Sequence, residues 1–177
     1  GMVPFERGRV LNRISELIGE RVDQIAHIEG LDSGKPISGA RKEVAGAARV
    51  FAYYAGAMDK FFGDSIPLGG GLVDFTLREP VGVCVLIVPW NFPFLAVSWK
   101  MGPALAAGCT VVIKPSSSTP LSALLLGDIV NQAGVPPGVV NIVSGDAAIG
   151  ASLVPHPMVD KVSFTGSTAA GTSIMKA

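Results

Sequence analysis

The chain has little charge and no net charge. Only 16% of its 177 residues are charged, and 14 Lys and Arg balance 14 Asp and Glu. Nucleic acids and anionic membrane surfaces attract strongly basic patches, so this balance argues against either as a partner. A surface this lean in charge is also typical of a chain that packs against further polypeptide or a second subunit.

Long apolar runs and cysteines are scarce as well. Although 49% of the residues are hydrophobic, the longest apolar run, 81–89, has the length of one buried strand and is too short to span a membrane. Cys84 and Cys109 are the two cysteines, and both lie in or beside apolar strand-like segments. This pattern is typical of reduced, buried thiols in a cytoplasmic protein rather than of a disulfide framework. We predict no metal site.

The first 80 residues predict helices. Apolar residues recur at three- and four-residue spacing through 5–30 and again through 38–62, with charged residues between them. We expect one helix over 5–30, a turn at 32–36, and a second long helix over 38–62 with Ser38 as its cap. Alternation over 72–78 then predicts a short, partly exposed strand.

From residue 81 onward, short apolar strands alternate with helices. We expect strands at 81–88, 110–114, 139–143 and 161–164, and helices at 94–107, 121–133, 147–154 and from 167 onward. Such alternation indicates βαβ units, so the fold class is α/β, a parallel sheet preceded by two long helices. The change of pattern predicts a boundary near residue 80, between segments 1–80 and 81–177.

The strand ends predict a small-molecule crevice. In open parallel sheets, ligands bind beyond the carboxyl ends of the strands. Four segments rich in Gly, Ser, Thr, Asn or Pro occupy that position: 89–93, 115–118, 144–146 and 165–167.

Three features at these strand ends carry chemistry, and each allows two interpretations. Lys114 is either a strand-terminal lysine that extends to solvent or a donor that faces a ligand. Asn91, between two prolines and two aromatic residues, either bonds its own turn or presents a fixed amide to a developing negative charge. The turn at 163–171 is either a capped strand-to-helix turn or an anion site made of Gly166, the Ser167 hydroxyl and free helix amides.

Several motifs follow one another along nearly the whole chain. They are Leu31-Asp32-Ser33-Gly34-Lys35-Pro36, Glu79-Pro80-Val81-Gly82-Val83, Pro89-Trp90-Asn91-Phe92-Pro93, Gly102-Pro103-Ala104-Leu105-Ala106-Ala107-Gly108-Cys109, Lys114-Pro115, Gly134-Val135-Pro136-Pro137-Gly138-Val139 and Phe164-Thr165-Gly166-Ser167-Thr168. In this order and at this spacing they resemble the aldehyde dehydrogenase superfamily. The resemblance implies a Rossmann-like sheet that binds NADP or NAD, an aldehyde substrate, and a homo-oligomer for which 72–78 is the oligomerisation strand.

The resemblance also implies roles for individual residues. Asn91 would be the oxyanion-hole amide, and Lys100 would have a supporting or charge-relay role, with a plain helix-surface lysine as the alternative. Lys114 would bind the adenosine ribose and Gly145 would lie near the adenine. The cofactor-binding set as a whole would be Ile87, Val88, Pro89, Trp90, Lys114, Ser116, Ser117, Gly145, Gly166 and Ser167, with the last two at the pyrophosphate.

Ser117 departs from a pattern that is common in the family. Many members that prefer NAD carry Glu three residues after the ribose-binding lysine, and here that position is Ser117. A carboxylate would repel a 2′-phosphate, whereas a hydroxyl can donate to one. We therefore expect that NADP is tolerated and that Ser117 shifts the cofactor toward NADP.

The family's covalent chemistry is expected to lie outside this sequence. It needs a nucleophilic Cys and a Glu that activates water. The resemblance implies that both lie well after the turn that begins at Phe164, whereas this sequence ends 13 residues after Phe164. We expect a chain truncated at both ends and inactive when isolated. One hypothesis is a piece of a working dehydrogenase, and the other is a non-catalytic remnant that binds a dinucleotide or a partner subunit. Phe51 and Trp99 are candidates for the substrate funnel.

Overall fold

The structure is a computed structural model that describes residues 2–177, and Gly1 lies outside the described residues. Helices precede alternating strands and helices, in the order α1 (Pro4–Glu20), α2 (Val22–Ser33), α3 (Ile37–Ala57), β1 (Ser65–Ile66), β2 (Asp74–Phe75), β3 (Val83–Ile87), α4 (Pro93–Ala106), β4 (Thr110–Lys114), α5 (Leu121–Gln132), β5 (Val140–Ile142), α6 (Ala147–Leu153), β6 (Lys161–Phe164) and α7 (Thr168–Lys176). Among residues 2–177, no helix is both long and apolar enough to cross a membrane.

A parallel sheet of four strands confirms the predicted α/β fold. The strand order is β5-β4-β3-β6, and each neighbouring pair is parallel. The chain moves from β3 to β4 and β5 on one side and then returns to the other side of β3. The order therefore reverses at β3, and in open sheets of this kind ligands bind beyond the carboxyl ends of the strands at such a reversal.

One continuous hydrophobic core joins the sheet to the helices. Alternate residues of β3 and β4, including Leu86 and Ile113, point into a cluster that also contains side chains of α1 to α5. Phe51 of α3 and Phe94 of α4 are fully buried in it. Burial of each such ring contributes about 1.5–3 kcal/mol, so the helical front segment and the sheet stabilise each other.

The prediction of a single helix over 5–30 is wrong, because the helix is interrupted at Arg21. That residue has φ −120° and ψ 18°, and its N–H bonds to the carbonyl of Ile18, three residues back. Ile18 before the break and Ile25 after it are both fully buried. The apolar spacing therefore continues across the break, and periodicity alone does not reveal it.

The predicted bounds of two other elements are also wrong. Pro36 lies at the N-cap of α3 and Ser38 lies inside its first turn, so Ser38 is not the cap, and the helix ends at Ala57 rather than at 62. The strand predicted over 72–78 is reduced to Asp74–Phe75, which pairs with Ser65–Ile66 in a two-stranded hairpin.

Candidate active site

The four predicted ligand-facing segments lie at one edge of the sheet. Segments 89–93, 115–118, 144–146 and 165–167 follow β3, β4, β5 and β6. Because all four strands are parallel, their carboxyl ends meet at the same edge.

Asn91 lies in an exposed bend between β3 and α4, while its backbone is held. Lys35 donates from Nζ to the Asn91 carbonyl at 3.1 Å, and Thr119 donates from Oγ1 to the Trp90 carbonyl at 3.1 Å. Pro93 begins α4 directly after the bend. Within residues 2–177, no hydrogen bond joins the Asn91 side chain to its own turn. The alternative in which this amide serves its own turn is therefore not what the structure contains.

Behind the Asn91 bend lies a buried ionic network that sequence reasoning missed. The Glu29 side chain is fully buried, and Lys35 Nζ lies 3.1 Å from its Oε2 and also pairs with Glu43. Glu29 Oε1 accepts from the Phe94 N–H at 3.3 Å and from the Ser122 hydroxyl. The signal was present in the sequence, since Glu29 follows buried Ile25 by four residues and so lies on the apolar face of α2.

Lys114 is a buried cation at the end of β4. It is 7% exposed, and in the described part of the chain its one hydrogen bond runs from Nζ to the Pro115 carbonyl at 3.2 Å. A methyl group on Gly150 of α6 would lie 3.9 Å from its Cδ and 4.0 Å from Ile87 Cδ1. The structure thus brings Lys114 and Ile87 together beside α6. The interpretation in which Lys114 extends to solvent does not describe this burial.

Ser116 and Ser117 lie in the short loop between Lys114 and α5. The Ser116 hydroxyl accepts from the Ser118 N–H at 3.3 Å, which is a local turn bond. Ser117 is exposed. Its hydroxyl is therefore open to a ligand group at the same edge as Lys114.

Two glycines of the predicted set lie close to neighbouring side chains. A methyl group on Gly166 would lie 2.5 Å from Cζ of Phe164, and one on Gly145 would lie 2.6 Å from Cγ1 of Ile149. Real carbon atoms do not approach so closely. A side chain at either position would force Phe164 or Ile149 to shift, so the chain's own packing favours glycine at both.

The turn after β6 is a capped helix start. Ser167 is the N-cap of α7, and its Oγ accepts from the Ala170 N–H at 3.3 Å. A hydroxyl that accepts one bond still has its own hydrogen to donate, and the first amides of α7 have no partner within the helix. The capped turn and the anion site are thus compatible at Ser167.

Lys100 reaches from α4 to β6, two residues before segment 165–167. It is in the middle of α4, and its Nζ bonds to Ser163 Oγ of β6 at 3.0 Å. Burial lowers the pKa of this lysine, because the charged ammonium loses solvation. In the part of the chain that the structure describes, no hydrogen bond joins Lys100 to segment 89–93.

Both thiols are buried and free, as the sequence predicted. Burial and the neighbouring Cys109 raise the pKa of Cys84 to about 11. A thiol with such a pKa is almost entirely protonated at neutral pH, so Cys84 is a poor nucleophile.

A groove of about 570 Å³ lies between α3 and α4. It is lined by Lys42, Glu43, Gly46, Arg49, Val50, Tyr53, Tyr54, Leu95 and Trp99. The expectation for Trp99 at a substrate funnel is compatible with this groove, whereas Phe51 is fully buried and is not available to a ligand. Glu43 lines the groove and pairs with Lys35, which bonds to Asn91, so the groove adjoins the Asn91 bend.

Comparison with known proteins gives a consistent result. A family model described as the aldehyde dehydrogenase family matches residues 1–177. An aldehyde dehydrogenase of Aspergillus niger is 45% identical over 99% of this chain and 36% of its own length. Retinal dehydrogenase 2 of Homo sapiens is 46% identical over 97% of this chain and 34% of its own length.

Solved structures agree with the sequence comparisons. An aldehyde dehydrogenase from Bacillus cereus, solved as an NAD+ complex, matches with a TM-score of 0.97 at 44% identity. The match covers 99% of this chain and 36% of that one. The chain therefore spans about a third of the length of the relatives that it matches.

Proposed function

The chain belongs to the aldehyde dehydrogenase family, and we propose that it forms the cofactor-side part of a protein of its relatives' length that oxidises an aldehyde to a carboxylic acid with NADP or NAD. The observation that carries the proposal is the burial of Lys114 at the end of β4. Among the described residues, its ammonium group donates one hydrogen bond, to the Pro115 carbonyl. Such a cation gains most from a polar ligand that supplies further acceptors.

The strand-end residues fit a dinucleotide. Lys114 and Ser117 would bind the adenosine ribose, and the free amides of α7 with the Ser167 hydroxyl would bind the pyrophosphate. Ile87, Val88, Pro89 and Trp90 would line the groove, with Ser116 beside Lys114 and Gly145 near the adenine. The chemistry that the bound dinucleotide would supply is acceptance of a hydride.

Asn91 would stabilise negative charge on the aldehyde oxygen. Its backbone is held by Lys35 while its side chain is free, so the amide can donate to the oxyanion that forms when a nucleophile adds to the carbonyl. Lys100 would support this site indirectly through α4, since its direct partner is Ser163.

The nucleophile and the base are proposed to come from the two thirds of the relatives' length that this chain does not span. Buried Cys84, with its raised pKa, and buried Cys109 are both unsuited to attack an aldehyde. The groove beside Asn91, with Trp99 and Leu95 in its wall, would receive the apolar part of the substrate.

The hairpin of β1 and β2 is proposed as an oligomerisation arm. Exposed apolar side chains on either side of β2 are Val73, at 84% exposure, and Leu77, at 73%. A second copy of the protein would cover them. Replacing both with Asp should lower the mass measured by light scattering, whereas an unchanged mass would refute the arm.

The free thiols support a reducing, cytoplasmic location.

The test uses the complete protein and measures reduction of NADP or NAD in the presence of aldehydes. We expect turnover, and we expect Asn91→Ala to lower kcat by about 10²–10³-fold with the fold intact. Asn131→Ala, at an exposed position of α5, is the control. Cofactor binding without turnover on any aldehyde would refute the dehydrogenase and favour the non-catalytic remnant.

A further inference from the structure

We propose that Glu29 and Lys35 form a positioning pair that fixes the Asn91 bend for catalysis. The proposal deepens the function proposed above and rests on it for the role of Asn91. Neither residue would touch the substrate. Each acts through backbone atoms next to the catalytic amide.

Glu29 lies where two helices begin. Its carboxylate is fully buried and accepts from the Phe94 N–H in the first turn of α4 and from the Ser122 hydroxyl in the first turn of α5. Helix N-termini are electropositive, so a carboxylate there is stabilised by both helices. Because α4 starts at Pro93, the Glu29 bond to Phe94 sets the backbone just after Asn91.

Lys35 holds the bend at Asn91 itself. Its ammonium pairs with Glu29 at 3.1 Å, donates to the Asn91 carbonyl at 3.1 Å, and lies 5.3 Å from the centre of the Phe92 ring. The lysine thus contacts two consecutive residues of the bend. A cation at this distance from an aromatic ring is attracted to its face.

The bonds from this pair to the bend and to the start of α4 end on backbone atoms and leave the Asn91 amide free. Lys35 binds the Asn91 carbonyl, and Glu29 binds the N–H of Phe94 three residues later. A buried ion pair is weak evidence for stability, because desolvation of both charges offsets their attraction. Its hydrogen bonds to the bend are a specific reason for its presence, since a misplaced oxyanion donor lowers the rate of reaction.

The test compares kcat, cofactor affinity and amide exchange in the complete protein. In Glu29→Gln with Lys35→Met, both charges of the pair are removed together, so the fully buried carboxylate is not left without its partner, and only the partly exposed Glu43 loses one. We expect kcat to fall at least tenfold, while the Kd for the cofactor changes less than threefold because Lys114 is held by the sheet. Amides of segment 90–94 should exchange with solvent at least tenfold faster.

Two comparisons separate positioning from general stability. Asp23→Asn with Arg41→Met removes an exposed ion pair that also joins α2 and α3, at 2.7 Å, and should change neither kcat nor exchange at 90–94. Glu29→Gln alone keeps an acceptor for Phe94 and should lose less kcat than Glu29→Ala. If the double variant does not fold, these two single variants decide the question by the same measurements.

Three outcomes are informative. The tenfold loss of kcat with faster local exchange supports the positioning pair. A variant that lacks the pair but keeps wild-type kcat and wild-type amide exchange at 90–94 would overturn the proposal. A wild-type protein with no aldehyde turnover overturns the proposed function instead, and the exchange measurement then still decides whether Glu29 and Lys35 order the bend.

Discussion

Thr119 donates its hydroxyl to the carbonyl of Trp90 at 3.1 Å, and this bond joins the loops that follow β3 and β4. Trp90 precedes the proposed oxyanion amide, Asn91, and Thr119 lies five residues after the proposed ribose ligand, Lys114. Thr119 is 2% exposed, so the link is shielded from water. The proposed substrate and cofactor sides of the site are thereby joined by a hydrogen bond as well as by the sheet.

Thr119→Val should loosen that link. Valine has nearly the same shape but leaves the Trp90 carbonyl without its partner, so we expect the free energy of unfolding to fall by about 1–2 kcal/mol. We also expect cofactor binding to weaken several-fold. Urea unfolding and a binding titration measure the two effects. Ser118→Ala, at an exposed position of the same loop, is the control, and equal losses in both variants would contradict the link.

Lys114→Met should weaken the cofactor without unfolding the protein. Methionine fills a similar buried volume but removes the ammonium, and loss of a charged hydrogen bond costs about 1.5–3 kcal/mol. This corresponds to about a 10- to 100-fold higher Kd by calorimetric titration. Lys161→Met, at an exposed position of β6, removes the same charge away from the site. An unchanged Kd in Lys114→Met would remove Lys114 from the cofactor site.

Ser117→Glu should change the choice of cofactor. We expect the wild-type protein to bind NADP at least as tightly as NAD, and the variant to bind NADP at least about tenfold more weakly, because its carboxylate repels the 2′-phosphate. Ser118→Glu places the same charge on the next exposed residue and should have a smaller effect. A wild-type protein that binds NAD several-fold more tightly than NADP would contradict the prediction.

Local patterns revealed the sheet more reliably than the helix ends. Strands such as Thr110–Lys114 were predicted at their observed bounds because buried parallel strands are nearly continuous apolar runs. The break at Arg21 was missed because Ile18 and Ile25 stay in phase across it. Helix starts are set by backbone geometry as well as residue type, which is why Ser38 was a misleading cap.

The sequence located the strand-end side chains but not the contacts that hold them. Lys114 and Ser167 lie at strand ends, as the parallel topology requires. The contact of Glu29 with Ser122 joins residues 93 positions apart, so no local pattern contains it. Lys35 was recognised only as part of a motif, because its bond to the Asn91 carbonyl depends on how α2 and α3 pack against the bend.

Cys84 and Cys109 should resist alkylation in the folded protein. With the pKa of Cys84 raised to about 11, we expect its reaction with iodoacetamide at pH 8 to be at least about 100-fold slower than in urea, as read from labelled peptides. The pKa of this thiol is near its ordinary value of 9.0 in the unfolded protein and is about 11 in the folded protein. The stability that this shift contributes is therefore present below pH 9.0 and is lost as the pH rises through about 11. Rapid native labelling would refute this.

Lys100→Met should stabilise the protein more at neutral pH than at alkaline pH. Burial lowers the pKa of Lys100 below its ordinary 10.5, so the folded state has a lower affinity for this proton than the unfolded state. Between the lowered pKa and 10.5, the unfolded wild-type protein binds more protons, and its stability must rise with pH across that window. The burial penalty is fully present below the window and absent above it. The difference in Tm between Lys100→Met and wild type should therefore shrink from pH 7 to pH 10.5, with Lys161→Met correcting for the loss of one positive charge. A difference that grows with pH would show that the bond to Ser163, rather than desolvation, dominates at this lysine.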